Sequence, residues 1–542
     1  MVRKGEWDYI VVGAGHNGLS AGCTLALEGR SVLLVDQLDW VGGLSASLPW
    51  VAEAPDHLLS VGAMDDMLMA QTSLTDDLGL QGRGYVPIPL EAPYGWIDED
   101  GETLLLFRDF ERTLRDIRRF SPRDAETYAD IKPTLDFVMD LTEQLTSQHP
   151  SALSKRDIAR VALKLAPDRK ARRLLGQMMS TNVFEMVSET FESDAMRGLW
   201  GYWTSMVGPA DLDGTGVYLM AFHATHRKRG VLRPQGGMTG LMNAFRGLLE
   251  SRGGEVRLGQ RVERILVDDG RAVGVRLADG SELHARRGVL ANCAPQVALG
   301  ELLEDGVLDR NMALRVAMIP ANEVNSAAFK IDMAVGGRVG YPAGETKRTD
   351  GFDIRKTTLM TGTLEDHVRH LQAMKIGQTI DPPPVYMAVL SAADPTISPA
   401  GQDVLYLHSN VPAVPSGGWT QDAKDTYTRA ILASAERYLG GLDAEIGRVV
   451  HTPQDFEDRF STPRGAYFHV DMSPLRLGVN RPAKGLGGYV TPVRGLYLAG
   501  AGSHPGGTIN GWCGRLAAQT ALGRENEVGT IAAPVAAPAT VA

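Results

Sequence analysis

One glycine-rich motif constrains the fold of this chain more than any other part of its sequence. Residues 13–18, Gly-Ala-Gly-His-Asn-Gly, match the pattern G-x-G-x-x-G; they follow an apolar strand predicted at 9–12 and open a predicted helix. A second apolar strand is predicted at 31–35 and is followed by Asp36. Because a strand, a helix and a parallel strand form a β-α-β unit, the sequence predicts an α/β fold with a Rossmann-type nucleotide-binding domain.

The residues of this motif have separate roles in binding the pyrophosphate of a dinucleotide. Gly13 makes the tight turn, Gly15 lets the backbone approach the phosphates, and Gly18 lets the helix pack closely on the strand. The helix begins at His16 and Asn17, so its N-terminus faces the phosphate charge. We therefore predict that these five residues bind a cofactor.

Asp36 completes the dinucleotide motif, and the segments after it favour FAD over NAD. Asp36 is expected to accept hydrogen bonds from the adenosine ribose. Gly42 and Gly43 follow it closely, where a flavoprotein brings its chain back across the pyrophosphate. The stretch 234–238, Pro-Gln-Gly-Gly-Met, precedes a predicted helix and then Val262. It resembles the P-x-G-G-M segment of flavin amine oxidases and carotenoid desaturases, in which the backbone of the valine meets the adenine.

A third segment near the other end of the chain is also rich in glycine. A strand predicted at 496–499 runs into a loop that contains Gly500, Gly506 and Gly507, and a helix follows from about residue 511 to residue 522. Such a loop places backbone N–H groups and a helix N-terminus beside a ligand, where they stabilise the negative charge of a reduced flavin. We therefore predict that both ends of the chain bind one FAD, non-covalently.

These segments together resemble a known family. The Gly-His-Asn-Gly-Leu form at 15–19 and the His-Pro-Gly-Gly segment at 504–507 resemble the phytoene dehydrogenase-like flavoproteins, most closely the pyridine nucleotide-disulfide oxidoreductase domain-containing protein 2 subgroup. Other stretches similar to that subgroup are 452–457, 468–469, 481–482 and 489–493. The resemblance implies an FAD-dependent oxidoreductase with a flavin amine oxidase-like or phytoene desaturase-like fold. It is weakest between about 110 and 230.

The chain departs from the family's pattern at two places that adjoin the expected flavin face. Thr508 stands where the family commonly has a third glycine, and we still assign it to cofactor binding. Trp512 and Cys513 stand where the family has a short Ala-Pro pair. A side chain as bulky as Trp512 beside the flavin argues against the family's usual long-polyene substrate.

The spacing of the motifs predicts a discontinuous FAD-binding domain with two inserted regions. The FAD-binding domain takes residues 1–105, 231–305 and 482–528, and includes an antiparallel meander at 254–285 with Asp-Gly turns. A mostly helical cap, punctuated by prolines such as Pro133, takes 106–230, and a mixed α/β substrate domain takes 306–481. The tail at 529–542 has little to bury and is predicted to be disordered.

Composition and charge exclude several classes of partner. A formal net charge of −10 argues against a nucleic-acid surface. The three cysteines, Cys23, Cys293 and Cys513, have no ligand-like spacing, and no cluster of metal ligands is found, so no metal site is predicted. No apolar run reaches the roughly 18 residues that span a bilayer. We expect a cytoplasmic protein; contact with a membrane surface and the oligomeric state stay open.

Flavin chemistry needs few groups from the protein, and the sequence offers few candidates. We predict hydride transfer from an apolar or partly apolar organic substrate to flavin N5, with O₂ or a quinone as the final acceptor. His504 is the catalytic candidate, because the C-terminal motif carries it close to the flavin. Trp203, Tyr467 and Trp512 are the substrate candidates.

Other functions are compatible with the same motifs. One alternative keeps the flavin and changes the reaction to amine oxidation or redox-neutral isomerisation. Another is a non-catalytic FAD-bound protein that serves as a binding partner or chaperone. A NAD-binding protein without flavin is a further alternative. Neither a second G-x-G-x-x-G nor a C-x-x-C is present, so reduction by NAD(P)H is not expected.

Overall fold

The computed structural model describes residues 6–152 and 168–524, so the tail predicted to be disordered at 529–542 lies outside the described residues. The strands within these ranges are, in chain order, β1 (Glu6–Val12), β2 (Val32–Val35), β3 (Ser47–Leu48), β4 (Leu59–Ser60), β5 (Pro87–Pro89), β6 (Tyr94–Ile97), β7 (Thr103–Leu106), β8 (Leu232–Pro234), β9 (Glu255–Arg257), β10 (Val262–Asp268), β11 (Arg271–Leu277), β12 (Glu282–Ala291), β13 (Ala327–Val335), β14 (Thr358–Met360), β15 (Tyr386–Val389), β16 (Asp403–Val411), β17 (Glu445–His451) and β18 (Leu496–Leu498).

The α-helices of the described ranges alternate with these strands and also form a separate helical region. They are α1 (His16–Leu27), α2 (Leu74–Asp77), α3 (Phe110–Arg118), α4 (Pro122–Thr146), α5 (Arg169–Ser180), α6 (Val183–Thr190), α7 (Asp194–Val207), α8 (Met238–Ser251), α9 (Arg310–Ala317), α10 (Pro342–Lys347), α11 (Leu364–Lys375), α12 (Leu390–Ala393), α13 (Gln421–Glu436), α14 (Pro453–Phe460) and α15 (Trp512–Gly523). A 3₁₀ helix covers Thr215–His226.

The first sheet has the β-α-β unit at its centre. Its strand order is β10-β11-β12-β1-β2-β9, and β18 also pairs with β12. Strand β1 is parallel to both of its neighbours, β12 and β2. Residues 9–12 of β1 and all of β2 are buried, as expected for strands covered by helices on both faces. The predicted α/β fold class is confirmed.

The two ends of the described chain meet in this sheet. Strand β18 pairs in parallel with the last residues of β12, which also pair with β1. Helix α15 then packs on α1 so closely that a Cβ atom added at Gly514 would lie 1.7 Å from the carbonyl oxygen of Asn17. Glycine at this position allows two backbones to touch, which brings the C-terminal loop to the first glycine turn.

The predicted meander is right for three strands and wrong for one. Strands β10, β11 and β12 are antiparallel, and Asp269 and Gly270 both have positive φ in the turn between the first two. Strand β9, which the sequence placed at the start of the meander, pairs instead in parallel with β2. Helix α8 precedes β9 and forms the crossover that leads into this strand. A helical crossover is the usual connection to a parallel strand.

The second sheet forms the opposite wall of the molecule's interior. Its strand order is β17-β13-β16-β15-β14-β6-β7, and every pair is antiparallel except β14 with β6. Five of its strands come from the region predicted as the substrate domain. Strands β6 and β7 also pair in this sheet, although the sequence division placed residues up to 105 in the FAD-binding domain.

Helices α3 and α7 pack on the β6–β7 edge of the second sheet, and helices α4 to α6 pack around the 3₁₀ helix. Pro133 was expected to punctuate the helical region, but α4 runs through it from Pro122 to Thr146. A proline removes one N–H from the helix ladder, and here the buried face that includes Tyr128 and Leu135 keeps the turns on both sides in place. Among the helices described, none is both long enough and apolar enough to cross a membrane.

Candidate flavin and substrate cavity

A cavity of about 360 Å³ is lined by residues from both sheets. This volume lies in the range of pockets that bind cofactors and small molecules. We call one part the nucleotide end, lined by Gly13, Gly15, Asp36, Gly42 and Val262, and the other the aromatic end, lined by Tyr94, Trp203, Tyr386, Tyr406 and Tyr467.

The first glycine turn forms the floor of the nucleotide end. Gly13 has a φ of 99°, which a residue with a side chain rarely adopts, and Asn292 donates a hydrogen bond of 3.1 Å to its carbonyl oxygen. Helix α1 begins directly after Gly15, and no side chain caps its N-terminus. Its first N–H groups are therefore available to phosphate oxygens, and the helix dipole favours negative charge there.

Gly42 and Gly43 lie beside this turn, as predicted. The amide of Gly42 donates a 2.8 Å hydrogen bond to the carbonyl of Ala14, and both glycines have positive φ, 103° and 57°. Gly43 also lines the cavity. Two backbone segments without side chains thus border the same space, which suits the close approach of a pyrophosphate.

Asp36 lines the nucleotide end with its carboxylate already held by the backbone. Its Oδ2 accepts from the amide of Ala14 at 2.6 Å, and its Oδ1 accepts from Leu38 at 2.8 Å. Burial raises the pKa of this carboxyl. Because each carboxylate oxygen has two lone pairs, both can still accept a ribose hydroxyl. Val262, assigned to the adenine, lines the cavity as well.

His16 and Asn17 also line the cavity at the start of α1. The Nδ1 atom of His16 lies 3.2 Å from the hydroxyl of Ser45, and Nε2 has no partner among the described residues. Desolvation of the ring lowers the pKa of His16 to about 4. The imidazole is therefore neutral at physiological pH, so it offers a hydrogen bond and no charge to a bound phosphate or flavin.

The aromatic end is built mainly from the second sheet and α7. The rings of Tyr94 and Trp203 lie 5.0 Å apart, and those of Tyr386 and Tyr406 lie 5.9 Å apart. Tyr467 closes this end by donating a 2.6 Å hydrogen bond to the carbonyl of Met206. Aromatic walls with few polar groups suit a flat or apolar molecule.

Lys330 places an ammonium group in the wall of the aromatic end. It lies on β13, bonds to the carbonyl of Ser60 and to Asp332, and stands 4.3 Å from the ring centre of Tyr406. Burial lowers the pKa of Lys330, while the carboxylate of Asp332 opposes that shift. An ammonium has three N–H groups, so one remains for a ligand.

A comparison with known families shows the family to which the chain belongs. The family model described as flavin-containing amine oxidoreductase matches residues 18–520. The chain belongs to this family. The predicted resemblance and the predicted class of enzyme, a flavin-dependent oxidoreductase, are both confirmed. The uncapped helix start and the two glycine turns fit the dinucleotide part of such a cofactor.

The relatives of this flavin oxidoreductase span nearly its whole length. Pyridine nucleotide-disulfide oxidoreductase domain-containing protein 2 of Mus musculus is 28% identical over 95% of this chain and 93% of its own. The neurosporene-forming phytoene desaturase of Rhodobacter capsulatus is 27% identical over 92% and 90%. The solved cyclohexylamine oxidase of Brevibacterium oxydans has a TM-score of 0.56 at 17% identity, over 96% and 99%, and shares the fold.

His504, the catalytic candidate, does not line the cavity of this flavin enzyme in the described part of the chain. Its Nε2 lies 2.9 Å from the carbonyl of Leu145 at the end of α4. Burial lowers the pKa of His504. The structure therefore places the ring between the C-terminal loop and the helical region, so a catalytic role for His504 stays a prediction and its contacts favour a role in holding the loop.

Trp512 was expected to border the flavin and exclude long substrates, but it lies outside the residues described as lining the cavity. It is buried in the hydrophobic core that also includes residues of α1 and α8, with Arg515 5.0 Å from its ring. Trp512 is the first residue of α15, and because this helix packs closely on α1, its ring belongs to that core. Trp203 and Tyr467 do line the cavity.

The glycines of the C-terminal loop allow close packing behind the wall of the cavity. A Cβ at Gly500 would lie 3.0 Å from the carbonyl oxygen of Cys293, and one at Gly507 would lie 2.0 Å from the ring of Phe468. A Cβ at Gly506 would meet Met472 at 3.0 Å. Only Thr508 of the predicted loop residues lines the described cavity, and it does so with a φ of 71°.

Arg481 holds this loop in place. The guanidinium is fully buried and donates to the carbonyls of Ala501 at 2.9 Å, Val470 at 3.0 Å and Phe468 at 3.1 Å. Burial lowers its pKa to about 10, so it stays charged at physiological pH. Because Phe468 and Ala501 line the cavity, this one side chain joins two segments of its wall.

Sequence reasoning missed several residues of the wall. Asn292 was assigned no role from the sequence, yet its side chain donates to the carbonyl of Gly13 and would meet a Cβ added at Gly15 at 3.2 Å. Further missed wall residues include Asp65 from a loop and four residues of the second sheet: Lys330, Tyr386, Tyr406 and His408. A lysine and an aspartate two residues apart in an apolar strand, as at 330–332, are a signal that could have found Lys330.

Proposed function

We propose that the chain binds FAD non-covalently and oxidises or desaturates an apolar or partly apolar organic molecule. The observation that carries the proposal is that one cavity joins the glycine-lined nucleotide end to the aromatic end. When bound, FAD supplies the acceptor for a hydride from a substrate C–H bond, and O₂ or a quinone then takes the electrons. The protein supplies position and electrostatics.

FAD is supported by the geometry of the nucleotide end. Asp36 and Val262, assigned to the ribose and the adenine, line the same cavity as the glycine turn assigned to the pyrophosphate. A flavin without adenosine would leave these residues unused. His16, Asn17, Gly42, Gly43 and Thr508 are the further residues that we assign to FAD.

Non-covalent attachment is supported by the state of Cys293. This thiol lines the cavity, but burial raises its pKa to about 12. Since the thiolate is the nucleophilic form, the thiol is a poor candidate for a bond to the flavin ring.

Substrate binding is assigned to Trp203 and Tyr467 together with the tyrosines of the aromatic end. These rings present apolar surface and hold a planar substrate in place. Lys330 offers a hydrogen-bond donor in the same wall and is the group best placed to hold a proton or orient a polar atom there. Phe222 packs behind this wall, with its ring 5.3 Å from that of Tyr94 and 5.2 Å from that of Trp203.

The first experiment is an absorption spectrum of the purified protein, followed by acid precipitation and chromatography of the supernatant. We expect a yellow protein that releases FAD. Flavin retained in the pellet contradicts non-covalent binding, and a colourless protein that refuses added FAD contradicts the proposal as a whole.

The second experiment is anaerobic addition of compounds from several chemical classes, read by bleaching of the flavin. Bleaching followed by stoichiometric hydrogen peroxide in air indicates an oxidase. An aldehyde or ketone released from an amine indicates amine oxidation, and conversion without peroxide or bleaching indicates isomerisation. Bound FAD that no class of compound bleaches supports the non-catalytic alternative.

A further inference from the structure

Three buried polar atoms on side chains that border the aromatic end lack a hydrogen-bond partner among the described residues. They are Oδ2 of Asp65, Nε2 of His408 and Nε1 of Trp203. A buried polar group without a partner costs about 1–3 kcal/mol, and native proteins leave few of them unsatisfied. No described protein group satisfies these atoms, and their side chains border the cavity, so a molecule that fills the cavity is the candidate partner we consider.

Asp65 offers a hydrogen-bond acceptor whose negative charge is balanced by a neighbouring guanidinium. Its Oδ1 accepts from Nε of Arg233 at 2.9 Å, and both side chains are buried, with 6% and 4% of their surface exposed. The guanidinium therefore balances the carboxylate, while Oδ2 keeps its lone pairs. Lys330 and Asp332 form a second balanced pair in the same region.

His408 also offers an acceptor. The Tyr202 hydroxyl donates its one hydrogen to the carbonyl of His408 at 2.8 Å, so the 3.2 Å contact between that hydroxyl and Nδ1 needs the ring to donate. Burial lowers the pKa of His408 to about 3, so the ring is neutral. A neutral ring with its hydrogen on Nδ1 has a lone pair on Nε2.

We propose that the aromatic end recognises a neutral, otherwise apolar substrate through hydroxyl groups that donate to Oδ2 of Asp65 and Nε2 of His408. The proposal rests on the proposed function and names its substrate class. A pure hydrocarbon would leave both acceptors unsatisfied. An ammonium would add a third cation beside Arg233 and Lys330, with no third carboxylate to balance its lost hydration.

The test measures the binding of three ring compounds of similar size to the flavin-loaded protein by calorimetry: cyclohexanol, methylcyclohexane and cyclohexylammonium. A hydrogen bond to a charged acceptor corresponds to about a tenfold change in Kd. We expect the native protein to bind cyclohexanol about tenfold more tightly than the other two.

Two variants assign this preference to the acceptors. Asp65→Asn keeps the shape of the side chain and weakens the acceptor, and His408→Phe keeps a ring and removes the Nε2 lone pair. Each is expected to bring the Kd values for cyclohexanol and methylcyclohexane closer together. Asp56→Asn, an exposed carboxylate, is the matched control and keeps the native preference. If Asp65→Asn does not fold, His408→Phe alone carries the test.

Equal binding of cyclohexanol and methylcyclohexane by the native protein overturns the proposal, as does no binding of cyclohexanol. Tighter binding of cyclohexylammonium overturns it in favour of an amine substrate. If the variants keep the full preference for cyclohexanol, other groups accept the hydrogen bond from its hydroxyl, and the proposal is again overturned. Failure of the proposed function itself is seen separately, as the absence of bound flavin before any titration.

Discussion

At the scale of single residues, Gly18 leaves no space for a side chain beneath the first glycine turn. A Cβ added there would lie 2.0 Å from the carbonyl oxygen of Gly13 and 2.7 Å from Nδ2 of Asn292. We expect Gly18→Ala to distort the turn, lower the thermal midpoint and lower the bound flavin per protein, since overpacking of this kind costs about 1–3 kcal/mol. Visible absorbance relative to protein absorbance measures the flavin.

Gly247→Ala is the control for this substitution. Gly247 lies in α8, and no atom is found within 4 Å of a Cβ added there. Alanine in a helix interior is favoured over glycine by about 0.5–1 kcal/mol, so this variant keeps its flavin and gains stability. Equal flavin content in the two variants would show that the turn tolerates a methyl group.

Asp66 gives the fold a pH dependence. It is fully buried, accepts from the hydroxyl of Tyr85 at 2.9 Å, and burial raises its pKa from 3.8 to about 7. A raised carboxyl pKa favours the protonated folded state, so its contribution to stability is complete below pH 3.8 and is lost as the pH rises to about 7.

We therefore expect the free energy of unfolding of the native protein, relative to Asp66→Asn, to fall between about pH 4 and about pH 7 and to level off above. Urea unfolding at several pH values, read by far-UV circular dichroism, measures the difference. A constant difference across this range would mean that Asp66 keeps an ordinary pKa in the folded protein.

The site residues that the sequence could predict are those whose role depends on the backbone conformation. Gly13, Gly15 and Gly42 line the cavity because a tight turn beside a strand needs glycine wherever it occurs. His504 does not line the described cavity, because nearness in the chain to a glycine loop says nothing about where a side chain points. Lys330 and Asp65 were missed because segments distant in sequence, a strand of the second sheet and a loop, bring them to the same cavity.

At the scale of elements, the contact between α1 and α15 leaves no room for a side chain at Gly514. We expect Gly514→Ala, whose added methyl would lie 1.7 Å from a backbone oxygen of α1, to lower the free energy of unfolding by about 1–3 kcal/mol. Gly523→Ala, in the same helix with nothing within 4 Å, is the control and is expected to change it little. Similar denaturant midpoints for both would show that the helices can separate without loss.

Elements with a strong local signal were also the ones that sequence placed well. The unit β1-α1-β2 and the hairpin between β10 and β11 follow from apolar periodicity and an Asp-Gly turn. The pairing of β9 with β2, and of β6 and β7 with the second sheet, depends on contacts between distant segments. Local pattern carries no information about such pairings, which explains why the domain boundary at 105 cuts the second sheet.

At the scale of the whole molecule, the cavity takes its walls from both sheets, so a ligand that fills it links them. A ligand that binds the folded state at a hundred times its Kd stabilises it by about 2.7 kcal/mol. We expect removal of the flavin to lower the thermal midpoint, and added FAD to restore it, as measured by scanning calorimetry.

Riboflavin is the matched control ligand. It lacks the adenosine and the phosphates, so the contacts offered by Gly15, Asp36 and Val262 go unused. We expect it to raise the midpoint of the stripped protein less than FAD does. Equal shifts for the two ligands would argue that the nucleotide end does not bind the dinucleotide.

The late position of β18 also has a consequence for how the protein is made. The strand that completes the first sheet ends at Leu498, and the helix that covers α1 follows it. While translation proceeds, the glycine turn emerges long before its neighbouring strand and its covering helix. Vectorial folding of the segments that precede β18 therefore cannot finish the dinucleotide site, and cofactor loading waits for β18 and α15.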